Sequence, residues 1–191
     1  MNSSFYIIVA LVMALVTSFA QSRGIDNTAM GTDYVPLDMI VDGLYENVDV
    51  PPYALTTLDE ENFKYYSFLS YNEDLFAVAA DALVRIEPHS MVLIRTDAGN
   101  GPELAYQIFR NADPNKWVSV GSEVVYVAYT YHYVVLVMSS QDRADAIIGN
   151  FRDMARELDN MDMSLLAARN PRFEGDVWET DPAGYGLSPA A

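Results

Sequence analysis

Cysteine is missing from all 191 residues, and that one gap removes disulfides, thiolate metal ligands, a cysteine nucleophile and a lipid-attachment cysteine after any leader. Lysine is almost missing, with only Lys64 and Lys116, and neither follows the glycine spacing of a phosphate-binding loop. The Gly-x-Ser-x-Gly elbow that presents a hydrolase serine does not occur. Histidine occurs twice, as His89 and His132, with no zinc-ligand spacing between them. His89 follows Pro88 in a turn-like stretch and His132 lies among tyrosines, so surface or edge placement is expected for both.

Basic residues are scarce as well. The chain has 11 Lys and Arg against 27 Asp and Glu, a formal charge of -16. Such a surface repels nucleic-acid phosphates and anionic lipid headgroups, which leaves protein or carbohydrate partners and cations. The first twenty residues, Met1 to Ala20, hold no charged side chain. Within them Phe5 to Thr17 is a thirteen-residue apolar run, shorter than the ~20 residues of a membrane-crossing helix but suited to the core of a signal peptide. Small residues at Ser18 and Ala20 fit cleavage before Gln21. Export is therefore expected, with membrane contact only through an uncleaved leader acting as an anchor. An exported chain without disulfides suits a bacterial envelope.

What is present favours a packed interior: 51% of residues are hydrophobic and 13 are tyrosine. Setting aside residues 1–20 leaves roughly 170, enough for one domain. Residues 21–35 lack apolar periodicity and read as a spacer, 36–169 as the domain, and 170–191 as a disordered acidic tail.

Within the domain, Leu37, Ile40, Val41, Leu44 and Tyr45 recur at helical spacing behind Pro36. Thr57 and Glu60 form a capping-box pattern that predicts a short helix over 58–66. Residues 75–86 fit a strand or a helix, and Ser90 to Thr96 fits a strand. Gly99-Asn100-Gly101 is a turn that caps the helix bearing Leu104, Ala105, Ile108 and Phe109. Residues 123–138 exceed one strand and predict a hairpin bent near Thr130. Ala144, Ile147, Ile148, Phe151, Met154, Ala155 and Leu158 stripe a long helix that Ser139 and Asp142 would cap, ending near Asn160. The order predicts an α+β domain, a mostly antiparallel sheet with amphipathic helices packed on one face.

Three segments carry a resemblance: Ser90-Met91-Val92-Leu93-Ile94-Arg95 running into a polar turn, the hairpin Val124 to Met138, and the entry Ser139-Ser140-Gln141-Asp142 into the last helix. Over 82–151 the chain resembles an uncharacterised domain family of exported proteins and lipoproteins of Gram-positive anaerobes. The resemblance implies an envelope location and supplies no functional residues. Members often carry a lipid-attachment cysteine, which this chain lacks.

No cofactor is expected. Calcium is the one metal the composition suits, through Asp97, Asn100 and Glu103 or through Glu157, Asp159 and Asp162, although neither group follows a twelve-residue calcium loop. Tyr129, Tyr131 and Tyr133 alternate along the hairpin and would share a face, either packed under helices or open as a platform for a partner. The expectation is a non-enzymatic binding or structural module. The alternative is an extracellular hydrolase of cell-wall or polysaccharide material that uses two carboxylates.

Overall fold

The computed structural model describes residues 35–84, 87–117 and 120–170. The leader 1–20, residues 21–34 of the spacer and residues 171–191 of the tail lie outside the described residues. In chain order the elements are α1 (Leu37–Leu44), β1 (Tyr53–Thr57), α2 (Phe63–Ser67), β2 (Leu75–Ala82), β3 (Ser90–Thr96), α3 (Gly101–Asn111), β4 (Val124–Tyr129), β5 (Tyr133–Ser139), α4 (Gln141–Asp159) and β6 (Ser164–Arg169). The strands form one six-stranded sheet in the order β1-β2-β3-β5-β4-β6, and every neighbouring pair is antiparallel. The α+β class, the antiparallel sheet and the single domain are as the sequence predicts.

Helices cover both faces of this sheet rather than one. Alternate side chains of a strand point to opposite faces. Val92, Ile94, Val134, Leu136 and Met138 pack with Phe63 of α2 and with Leu104, Ala105 and Ile108 of α3. Met91, Leu93, Val135 and Val137 pack with Ile40, Val41 and Leu44 of α1 and with Ala144, Ile147, Ile148 and Phe151 of α4. All seven residues of β5 are buried, and a strand buried on both faces has no solvent face to offer. That run demands helices on both sides, which corrects the one-face arrangement.

Two connections set the functional geography. β3 leads through α3 to β4, passing over β5, and β5 leads through α4 to β6, passing over β4. Gly101 begins α3 where a Cβ would stand 2.2 Å from the Thr130 carbonyl oxygen, so only glycine lets the helix start against the hairpin. Its N–H donates to the Tyr131 carbonyl at 2.8 Å. At the start of α4 the Gln141 N–H donates to Glu123 Oε2 at 3.0 Å, which places a carboxylate at the positive end of the helix dipole.

Several local expectations are corrected. Residues 59–62 form a turn in which Asp59 Oδ1 accepts from the N–H groups of Glu61 and Asn62, and the helix begins only at Phe63. Ser140, not Ser139, occupies the N-cap of α4, without a side-chain cap bond. Residues 164–169, beyond the helix that ends near Asn160, form an outer strand. Asn170 is a buried member of the domain and not the first residue of a tail. Its N–H donates to the Glu123 carbonyl at 2.8 Å, and its Nδ2 donates to the Ser122 carbonyl at 2.9 Å.

Candidate functional site

The chemically distinctive side chains meet at one end of the sheet, where β2 ends, β3 begins and β5 ends. Asp81 and Ser90 are cross-strand partners, so their side chains share a face, while His89 precedes Ser90 and points to the other. On the α2 and α3 side, Lys116 Nζ donates to Ser90 Oγ at 2.9 Å and lies 3.3 Å from Asp81 Oδ2. Three rings surround the ammonium, those of Tyr65 and Tyr66 at 5.4 Å and that of Trp117 at 5.0 Å. Burial pushes the Lys116 amine below its ordinary pKa, and Asp81 opposes the shift by charge and hydrogen bond.

A lysine softened by burial beside a serine hydroxyl is the arrangement from which a Ser-Lys nucleophile is built. Here it lacks what catalysis requires. Ser90 has no exposed surface, and it stands in a central strand paired with β2 and β5, whose backbone donors face the ladder rather than a substrate oxyanion. The Lys116 side chain is 5% exposed. The cluster can hold a charge pair; it cannot admit a substrate.

On the other face His89 is fully buried, which corrects its expected surface placement. Its Nε2 lies 2.8 Å from the Tyr45 hydroxyl and its Nδ1 lies 3.1 Å from Ser139 Oγ. Arg143 Nη1 donates to the same Oγ at 3.2 Å. A guanidinium only donates, so Ser139 Oγ accepts from Arg143, and with Tyr45 on the other nitrogen both ring nitrogens of a neutral imidazole have a hydroxyl partner able to donate or accept. Burial first, then the positive charges of Arg143 and Lys116, lowers the His89 pKa to about 3. Burial likewise raises the Tyr45 phenol above its ordinary value, with Tyr53 and Asp81 adding to it. This is a neutral hydrogen-bonded bridge across the core, in which His89 bonds to two hydroxyls and to no carboxylate. Arg143 extends outward to Glu87 at 2.5 Å and to the Asp49 carbonyl at 2.7 Å.

The three tyrosines do not form a common surface. The Thr130 N–H donates to the Tyr133 carbonyl at 2.9 Å, which makes Tyr131 and His132 the two turn residues of the hairpin. The turn breaks the alternation that would have aligned the rings. Tyr129 packs in the core under α3, Tyr133 in the core under α1 and α4, and Tyr131 alone is exposed, at 56%. Tyr126 is partly buried; burial and then the Asp145 carboxylate push its phenol up to about 12.

His132 sits at the expected edge, its Nδ1 2.5 Å from Asp159 Oδ1, and its N–H donates to Asp159 Oδ2 at 2.8 Å. Burial works against ionisation of Asp159, yet the bonds from His132 and Thr130 outweigh it and hold the carboxyl below its usual range. Each proposed calcium group is dispersed. Asp97 faces Arg95 at 3.4 Å, Asn100 Oδ1 accepts from Thr96 Oγ1 at 2.6 Å, and Glu103 Oε1 accepts from Gln107. Asp159 is bound to His132 as above, Asp162 pairs with Arg156 at 2.6 Å, and Glu157 is exposed on α4. Among the described residues no three His, Asp or Glu side chains gather as metal ligands, and no helix is long and apolar enough to cross a membrane.

A surface depression between α2 and α3 is lined by Lys64, Phe68, Leu69, Ser70, Gln107 and Asn111, a lining without an acid or a histidine. The exposed large apolar residues include Leu55, Tyr65, Phe76, Leu83 and Val84, all on or beside β1 and β2. Sequence reasoning missed this concentration, because Pro51-Pro52 reads as a breaker and hides the strand that follows. Comparison with known protein families, characterised proteins and solved structures finds no match to this chain.

Proposed function

We propose that this chain is an exported protein of the bacterial cell envelope whose α+β domain binds a partner and carries out no reaction of its own. The observation that carries the reading is a contrast in access. His89, Ser90 and Lys116 are sealed in the core and, among the described residues, the half-exposed His132 has only Asp159 beside it, with no nucleophile, while apolar side chains able to make contacts stand exposed along β1 and β2. Catalysis needs a reactive group within hydrogen-bond reach of a substrate atom, whereas recognition needs accessible apolar area. The apolar run Phe5–Thr17, suited to the core of a signal peptide, supports the location. The contact surface moves from the hairpin tyrosines to the β1 side.

A carboxylate hydrolase would instead need two acids facing each other across a cleft, about 5 to 10 Å apart. Asp81, Glu87, Asp159 and Asp162 each face a basic side chain, and such pairing favours binding over acid catalysis. The test is fractionation of producing cells with N-terminal sequencing of the product, together with incubation of the purified chain on cell-wall and polysaccharide substrates. An extracytoplasmic product beginning at Gln21 and no release of sugar or peptide fragments are expected. Full-length product dissolved in the cytosol, or fragment release, would overturn the proposal.

A further inference from the structure

The two outer strands of the sheet differ in what they offer a visitor. Every residue of β6 is buried or half-buried, and Arg169 at its end donates to Gln141 Oε1. β1 is open. The Leu58 N–H donates to the Ala77 carbonyl at 2.9 Å and the Leu83 N–H donates to the Pro52 carbonyl at 2.8 Å. With the register Leu55 to Ala80, these two bonds set the alternation of the antiparallel ladder. Ala54 and Thr56 bond inward to β2, so the N–H and C=O groups of Tyr53, Leu55 and Thr57 point away from the sheet. Among the described residues no backbone group is paired with them.

Both faces beside this edge are apolar. Leu55 is 43% exposed and Phe76 36% on the α1 and α4 side, with the Arg95 guanidinium stacked 4.4 Å from the Phe76 ring. On the other side Tyr65 is 58% exposed, its ring set edge-on to Tyr66 at 4.9 Å. Carboxylates outnumber the basic groups, Arg95 and Lys64, at one end of the edge. Asp59, Glu60 and Glu61 follow β1, Glu73 and Asp74 precede β2, and all five are exposed. Antiparallel pairing of β1 with β2 brings both groups to the same end, where Lys64 is the only basic residue between 59 and 74.

We propose that β1 is a strand-addition site for an extended, basic peptide segment of a partner protein, an inference that rests on the domain being a binding module. Backbone bonds to Tyr53, Leu55 and Thr57 supply affinity. Alternate apolar side chains of the added strand lie beside Leu55 and Phe76 on one face and Tyr65 on the other. Lysine or arginine at the end of the segment meets the carboxylates at 59–61 and 73–74, which selects a basic visitor over an acidic one. A second copy of the chain is disfavoured as the occupant, because each copy carries a charge of -16 and like charges resist association.

The probe is a fluorescent peptide with an alternating valine and threonine core flanked by lysines, titrated into the full chain and followed by anisotropy. Its counterpart has the same core flanked by glutamates. The lysine peptide is expected to bind about tenfold or more tightly than the glutamate one and to weaken as salt rises. Leu55→Pro removes one outward N–H and no ladder bond, so it should lower affinity about tenfold with the thermal unfolding midpoint nearly unchanged. Glu60→Lys with Glu61→Lys leaves the edge intact, balances the three remaining acids of that end with three lysines, and should remove most of the preference between the two peptides. This second variant decides the matter if Leu55→Pro does not fold. Equal binding of both peptides, or full binding by a folded Leu55→Pro chain, would overturn the proposal. So would sedimentation showing a dimer that Leu55→Pro dissolves, since β1 would then belong to a second copy. Failure here with export intact and no hydrolysis removes only the β1 assignment; cytosolic full-length product or hydrolysis removes the binding reading itself.

Discussion

Lys116 and His89 lie at the same end of β3, on opposite faces of the sheet, and the fold handles them by opposite means. Both are buried, and burial pushes the pKa of both downward. Lys116 has a carboxylate 3.3 Å away and three aromatic rings around it, so its charge is matched. His89 has a phenol and a hydroxyl, groups that satisfy a neutral ring and bring no negative charge to a protonated one, while Arg143 and Lys116 add repulsion. Equal burial therefore yields an ion pair on one face and an uncharged bridge on the other. The neighbours decide which.

The largest expected effect comes from breaking the matched side. Asp81→Ala leaves the Lys116 ammonium buried with only Ser90 and the rings, and loss of one partner of a buried pair costs about 3–5 kcal/mol. Urea unfolding of the variant measures it. Replacing both partners, as Asp81→Leu with Lys116→Met, should restore most of that loss, because neither charge then needs solvation. If Asp81→Ala is near neutral, Lys116 is not held by charge and the contrast with His89 disappears.

Acid is the lever on the other face. Above pH 6.5 His89 is neutral in both folded and unfolded chains. Below it the unfolded chain takes up a proton that the folded chain refuses until about pH 3. The unfolded state binds more protons across that window, so stability falls as pH falls, by about 2–3 kcal/mol at about pH 4.5. Asp159, whose folded carboxyl is held low, adds a further loss only below its unfolded value of about 3.9. His89→Gln removes the upper part of the slope and leaves the lower part. Unfolding midpoints of both chains from pH 7 to pH 4.5 make the comparison, and parallel curves would refute the neutral assignment.

How much of this could be read from the sequence depends on how local each cause is. The stripe from Ala144 to Leu158, the hairpin bend near Thr130 and the turn at Gly99-Asn100-Gly101 depend on residues within a few positions, and the structure has all three. The burial of His89 depends on Tyr45, 44 positions away, and Ser139, 50 positions away, and no local pattern encodes either. The tyrosine row failed for a local reason: a two-residue turn at Tyr131 and His132 sends Tyr129 and Tyr133 to opposite faces. β1 stayed hidden behind its prolines, and an edge strand of five residues has too short an alternation to overrule them.

A smaller effect tests the hydrogen bond that keeps His89 neutral. Tyr45→Phe leaves the imidazole Nε2 without its hydrogen-bond partner and should cost about 1–2 kcal/mol, the penalty of an unsatisfied buried polar group. Its unfolding should still lose stability toward acid, because the burial that depresses His89 remains. A loss of the acid slope would show that the phenol, and not desolvation, sets the ring's charge.

Tyr65→Ala is the smallest change and the sharpest separation of the two clusters. Tyr65 is the exposed member of the three rings around Lys116, and one ring over a partly desolvated ammonium contributes about 0.5–1 kcal/mol. The Asp81 pair survives its removal, so the loss should stay within that range, measured by urea unfolding at pH 7. Tyr65 reaches the His89 bridge only through the Lys116 charge, which its removal leaves in place, so the stability lost between pH 6.5 and pH 4.5 should match the unaltered chain. A changed acid slope in Tyr65→Ala would mean that the two faces are coupled through the sheet. In that case the charge on Lys116 and the neutrality of His89 would be one property of the β3 end and not two.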